Sequence, residues 1–260
     1  MEERIERYRK EVMCYRSLSY YNDDNEIRYI HYKLCHKELI WEEVITRVEI
    51  GLDYEFYSMV KPIETPNLLT VLVNKYHQLP RDYIPGDLEM INPKYNQSTL
   101  ILRCPARIQF EAMCQAADKE GILLRAISTF RSYLYQNQVY YNNWQDEVPI
   151  ERYREERDRV SARAGHSEHQ TGLAVDINDL EETFADTLEG RWLSENAYRY
   201  GYILRYPKGK EAITGYAYEP WHYRYIGIEL ARQLHQSGLT YDEYYVRYLN
   251  RRECITIHLI

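Results

Sequence analysis

The chain has 260 residues, 45% of them hydrophobic and 28% charged, with a formal net charge of -7. That length suffices for one substantial core and favours a main domain with an elaborated end over two equal halves. The acidic balance argues against a phosphate-tracking nucleic-acid surface. No run of 18 apolar residues occurs, so no membrane span is expected, and the charged N-terminus MEERIERYRKEV lacks the apolar stretch of a signal peptide.

Tyrosine is the compositional outlier, with 28 residues against four Phe and four Trp. A tyrosine packs its ring while keeping a hydroxyl for hydrogen bonding, which suits half-buried positions and a groove for a polar peptide. The five cysteines (Cys14, Cys35, Cys104, Cys114 and Cys254) are scattered and form no CxxC pair. Neither a zinc ribbon nor a disulfide framework is supported, and buried free thiols are expected.

Residues 1 to about 50 read as helical. Trp41, Val44, Ile45 and Val48 fall on one helical face, and Gly51 supplies a stop. KPIETPN (61–67) is a connector, and the apolar run LLTVLVN (68–74) predicts a buried strand. Prolines at 80, 85 and 93 predict mostly irregular chain from 79 to 96. Pro105 opens a helix whose period carries Ala106, Phe110, Met113 and Ala117, with Gly121 as its stop. A strand is expected at 122–127, a helix at 132–144, and a charged solvated excursion at 149–160. From Gly172 the pattern alternates: Leu173, Val175 and Ile177 point one way, Ala174, Asp176 and Asn178 the other. A helix at 192–200, a strand at 202–205 and closing helices at 224–237 and 241–250 complete the pattern. Strands and helices mix without a βαβ rhythm, so the expected class is α+β: a small central antiparallel sheet flanked by helices, with a helical N-terminal extension (1–60) before a catalytic domain (61–260).

Three segments concentrate chemistry. GHSEHQTGLAVD (165–176) places two histidines, a glutamate and an aspartate around a glycine turn that feeds the alternating strand. An imidazole and a carboxylate are ordinary zinc ligands, but two are too few. Tyr218-Glu219-Pro220-Trp221-His222 adds an imidazole and a carboxylate three residues apart; the proline disfavours a helical Glu219, so a strand or tight turn is expected to unite the pair. STFRSY (128–133) joins a strand end to a helix N-terminus and carries Arg131, a cation with a fork of donors. Taken singly, each has an ordinary alternative: a polar loop, a Trp–His packing pair, a surface ion pair. Together they supply three ligands and a carboxylate that does not ligate.

Through STFRSYLYQ, SARAGHSEHQTGLAVDIND and WLSENAYRYGYILRYPKGKEAITGYAYEPWHYRYIG, the chain resembles the zinc D-alanyl-D-alanine carboxypeptidases of the VanY type, relatives of the VanX dipeptidases. The pattern SxHxxGxAxD followed by ExxH is specific, and the likeness spans about residues 68–250, with residues 28–57 similar to the family's helical lead-in. The resemblance implies one zinc ion held by His169, Asp176 and His222, with Glu219 as general base and acid. It makes Arg131 the substrate-contacting arginine that stabilises the oxyanion. Ser128, Gln136, Ser167, Tyr218 and Trp221 are expected at the substrate, while His166 matches no ligand position. Thr129 and Ala164 depart from the glycine and proline usual in the family, without removing a chemical group.

The implied reaction removes the terminal D-alanine from peptidoglycan stem peptides. An L,D-carboxypeptidase acting on tetrapeptide stems, or a cell-wall-binding module without activity, are the alternatives. The substrate implies the extracytoplasmic side, although no export signal is visible in the chain.

Overall fold

The computed structural model describes residues 2–250, so Cys254 and the last ten residues assigned to the catalytic domain lie outside the described part. The chain divides into two compact units, one of residues 2–58 with 241–250 and the other spanning Met59–Thr240. The sequence reading ends the helical extension at residue 60 and keeps the C-terminus with the catalytic domain; in the structure, residues 241–250 group with the N-terminal helices.

The first unit holds α1 (Glu2–Met13), α2 (Glu26–Cys35) and α3 (Trp41–Ile50). The face spaced as Trp41, Val44, Ile45 and Val48 buries itself against Tyr8, Val12, Tyr29 and Ile30, as helical periodicity demands. At the end of α3, Gly51 adopts φ 105° and its N–H bonds back to Arg47 and Val48. A helical turn, Tyr241–Tyr244, runs into the π-helical turn Tyr245–Leu249, where Arg247 Nε donates to Thr46 Oγ1 at 2.9 Å.

The second unit is α+β. The short strands β1 (Lys61–Pro62) and β2 (His77–Gln78) pair in parallel, and β3 (Leu88–Met90) pairs antiparallel with β4 (Ile101–Arg103). Four further strands, β5 (Ala126–Ser128), β6 (Ala174–Ile177), β7 (Tyr202–Leu204) and β8 (His222–Tyr225), form an antiparallel sheet in the order β5-β6-β8-β7. Helices α4 (Cys104–Lys119), α5 (Tyr133–Tyr141), α6 (Ile150–Arg157), α7 (Leu188–Asn196), α8 (Glu211–Thr214) and α9 (Ile228–Ser237) surround these strands in sequence. Helix α4 starts with Pro105 in its first turn. Its Ala106, Phe110, Met113 and Ala117 are all fully buried in one cluster with Leu173, Val175 and Ile177.

Several elements differ from expectation. LLTVLVN is buried around Val71–Val73 but is not a strand: the carbonyls of Leu69 and Val71 accept the Arg224 guanidinium instead of a neighbouring strand. The strand expected at 122–127 shrinks to Ala126–Ser128. Ile122 N–H closes the end of α4 onto Ala117, while the Asn178 side chain binds Leu123 O and Arg125 N–H. The charged excursion is ordered as α6, a helix with no buried residue. The closing helix begins at Ile228 because 222–225 is committed to the ladder, where Arg224 lies opposite Ala174.

Of the four cysteines among the described residues, only Cys114 is the buried thiol expected; Cys14 and Cys35 are exposed and Cys104 is half-buried. No helix among the described residues is long and apolar enough to cross a membrane.

Candidate active site

Antiparallel pairing decides which side chains meet. Asp176 on β6 lies directly opposite His222 on β8 and opposite Ser128 on β5, and cross-strand partners share a face of the sheet. His169 arrives from the turn before β6. Ser167 caps that turn by accepting the His169 N–H, and Gly172 ends it at φ 66°. The left-handed backbone at Gly172 favours glycine, and a Cβ there would also press on the end of the Leu88 side chain at 2.8 Å. Glu219 joins from a tight turn through Pro220 and Trp221, closed by His222 N–H to Glu219 O at 3.2 Å.

Among the described residues, His169, Asp176 and His222 form the one buried cluster whose donor atoms lie within 4.8 Å of one another. His169 Nδ1 bonds the Thr129 carbonyl at 2.6 Å. A carbonyl only accepts, so the ring proton sits on Nδ1 and Nε2 carries a lone pair. That Nε2 faces Asp176 Oδ2 at 3.2 Å yet has no hydrogen-bond partner. Two electron-rich atoms turned toward each other in a dry site call for a cation between them. Donors about 2.0–2.2 Å from a tetrahedral zinc lie roughly 3.3–3.5 Å apart, close to this spacing. Two imidazoles and one carboxylate therefore fit a catalytic zinc by chemistry, and the His169–Asp176 pair also by distance; His222 Nδ1 lies closer to Asp176, 2.9 Å from Oδ1.

Glu219 stands beside the cluster, its Oε2 3.8 Å from His222 Nδ1. Burial pushes its carboxyl up to about 7; Asp176 adds to the rise, and His222 and Arg131 oppose it. Burial would raise Asp176 too, but His169 and His222 hold it well below the ordinary carboxylate range. His169 is pulled down to about 4 by burial and Arg131. His222 behaves in the opposite way: burial would lower it, but its contacts with Asp176 and Glu168 raise it to about 9. Arg131 lies 3.7 Å from Asp176 Oδ2, its guanidinium weakened by burial and supported by Asp176 and Glu219.

These groups line a cavity of about 440 Å³, together with Gln136, Ser167, Tyr218 and Trp221. Gln136 donates to Ala162 O at 2.7 Å and leaves its Oε1 buried without a partner. Ser128 stands in register with Asp176 but is not among the residues lining the cavity. His166 turns elsewhere, with Nδ1 on the Asn74 carbonyl at 2.8 Å. Thr129, at the family's usual glycine position, is not among the described non-glycine residues of positive φ; its carbonyl is the group that orients His169.

Sequence reasoning missed that carbonyl, because a backbone contact 40 residues away leaves no residue-type signal. It also missed Arg205 and Arg224, which meet Glu168 behind His222. There a signal existed, since Arg224 shares the strand parity of His222.

The fold and site are those of a peptidase, with a buried cleft whose three donor side chains suit a metal ion. The family model for VanY, D-alanyl-D-alanine carboxypeptidase, matches residues 100–228. The putative carboxypeptidase YodJ of Bacillus subtilis (strain 168) is 38% identical over 213 residues, covering 76% of each chain. Among solved structures, the LdcB LD-carboxypeptidase superposes with a TM-score of 0.66 at 38% identity, covering 73% of this chain and 91% of that one. A mutant of the vancomycin-resistance D,D-pentapeptidase VanY from a VanB-type cassette, in complex with Zn(II), superposes with a TM-score of 0.57 at 32% identity, covering 67% and 97%. The chain belongs to the VanY family of carboxypeptidases.

Proposed function

We propose that this chain is a zinc carboxypeptidase that removes the C-terminal D-alanine from peptidoglycan stem peptides, acting as a D,D-carboxypeptidase on pentapeptides. The observation that carries this reading is the buried His169–Asp176–His222 cluster with the non-ligating Glu219 beside it. Membership of the VanY family and the Zn(II) complex of a relative support it. The complete ligand set favours an enzyme over a binding module.

One zinc ion held by those three residues would acidify a water toward a pKa of about 7 and polarise the scissile carbonyl. Glu219 takes the proton of the attacking water and passes it to the leaving amine; a carboxyl near neutrality suits both transfers. Arg131 holds the developing oxyanion, a contribution of roughly 3–4 kcal/mol in comparable sites. Gln136, anchored at Nε2, offers its unpartnered Oε1 to a substrate N–H. Ser167, Tyr218 and Trp221 shape the walls, and Ser128 acts through its place beside Asp176. Peptidoglycan lies outside the membrane, so the reaction is placed on the extracytoplasmic side.

A second reading, L,D-carboxypeptidase activity on tetrapeptide stems, is favoured by the likeness to LdcB, whose TM-score and identity exceed those of the D,D-pentapeptidase. Incubating the zinc-loaded protein with tetra- and pentapeptide stems, followed by mass spectrometry, decides between them. Loss of one alanine from the pentapeptide is the expected result. Loss from the tetrapeptide alone moves the assignment to the second reading, and turnover of neither stem overturns both.

A further inference from the structure

Glu168 adjoins His169 in sequence, yet its carboxylate faces the other imidazole. The Glu168, Arg205 and Arg224 side chains are all fully buried. Glu168 Oε1 accepts from Arg205 Nε at 2.8 Å and from an Arg224 guanidinium nitrogen at 2.9 Å. Arg224 is fixed in turn by the carbonyls of Leu69, Val71 and Tyr225, at 2.9–3.1 Å. The second oxygen, Oε2, has no hydrogen-bond partner. It lies 3.5 Å from His222 Nε2, which also has none.

A buried carboxylate oxygen and a buried ring nitrogen that face each other across a small gap are explained together or not at all. If Glu168 served only to neutralise two buried arginines, both atoms would remain unsatisfied in a dry interior, at a cost neither arginine repays. Metal-ligating histidines commonly donate their other ring N–H to a carboxylate, which fixes tautomer and orientation. Here two arginines clamp Oε1 and keep the carboxylate ionised, leaving Oε2 alone for the imidazole.

We propose that Glu168 is a positioning residue for the metal centre, accepting the Nε2–H of His222 so that the Nδ1 lone pair is directed into the site shared with Asp176 and His169. The inference rests on the zinc reading above.

Nitrogen NMR of the zinc-loaded wild-type protein with isotope-labelled histidine tests it directly. The expected spectrum shows His222 protonated at Nε2 and metal-bound at Nδ1; a ring protonated at Nδ1 overturns the proposal. In parallel, Glu168→Gln is expected to raise the zinc dissociation constant, measured by chelator competition, about 10–100-fold. A purely structural role would lower the melting temperature while leaving zinc affinity intact, so a folded Glu168→Gln protein with wild-type affinity also overturns it. Should that variant fail to fold, the wild-type tautomer decides alone. Wild-type protein that takes up no zinc defeats the proposed function itself, whereas zinc bound beside an Nδ1-protonated His222 defeats only this inference.

Discussion

On one face of β6, Leu173, Val175 and Ile177 meet Phe110, Met113 and Ala117 of α4 in an apolar cluster with no exposure. On the other face, Asp176 meets His222, His169 and Arg131 with almost as little, 5% at Asp176. The two faces are equally dry and are held together differently. The first gains about 25 cal/mol for each Å² of apolar surface removed from water. The second loses much of its Coulomb attraction to desolvation, and buried charge arrays of this kind often add nothing net to stability. Their presence is therefore explained by chemistry, and mutations on the two faces should separate cleanly in what they damage.

The largest separation is expected at Glu219. Replacing it with glutamine should leave zinc content unchanged, by elemental analysis, and reduce kcat about 10²–10⁴-fold. Normal turnover in that variant would remove Glu219 from the mechanism. The opposite face should respond in reverse: Phe110→Ala should cost about 3–5 kcal/mol in denaturant unfolding, with the zinc affinity of the folded protein unaffected. A fall in affinity as large as the fall in stability would mean that the two faces are not independent.

The smallest effect is in pH. Folded, metal-free Glu219 keeps its proton up to about 7, against an ordinary value of 4.5. Between those values the folded state binds more protons than the unfolded chain, so this contribution is full below the lower value and lost as pH rises through the upper. Glu219→Gln, which carries no such charge, should be more stable than metal-free wild type by about 1–3 kcal/mol above neutrality. The difference should vanish at acid pH, as thermal melts across a pH series would show. No difference at high pH would mean that Glu219 ionises freely in the cleft.

Much of this contrast was legible in the sequence. The alternation from Leu173 to Asn178 separated the two faces of β6, and the period through Ala106, Phe110, Met113 and Ala117 found the helix that covers one of them. Glu219 and His222 were readable as a pair because Pro220 disfavours a helical Glu219 and points to a strand or tight turn. What escaped was whatever depends on backbone atoms or on partners far apart in the chain. Nothing in LLTVLVN shows that its carbonyls serve Arg224 and not a strand. Nothing in Thr129 shows that its carbonyl holds His169. Glu168 looked like a polar neighbour of a ligand because its partners, Arg205 and Arg224, lie 37 and 56 residues downstream.

The pairing of Asp176 with His222 also ties reactivity to strand alignment. The side-chain period of a strand is two, so sliding β8 against β6 by a single residue would bring Tyr223 into line with the aspartate and turn the imidazole to the opposite side of the sheet. A misaligned strand pair would thus forfeit both the pocket's donor set and the apolar seam in one error. Ion retention would then serve as a gauge of correct assembly, distinguishing properly zipped chains from compact impostors of similar helix content.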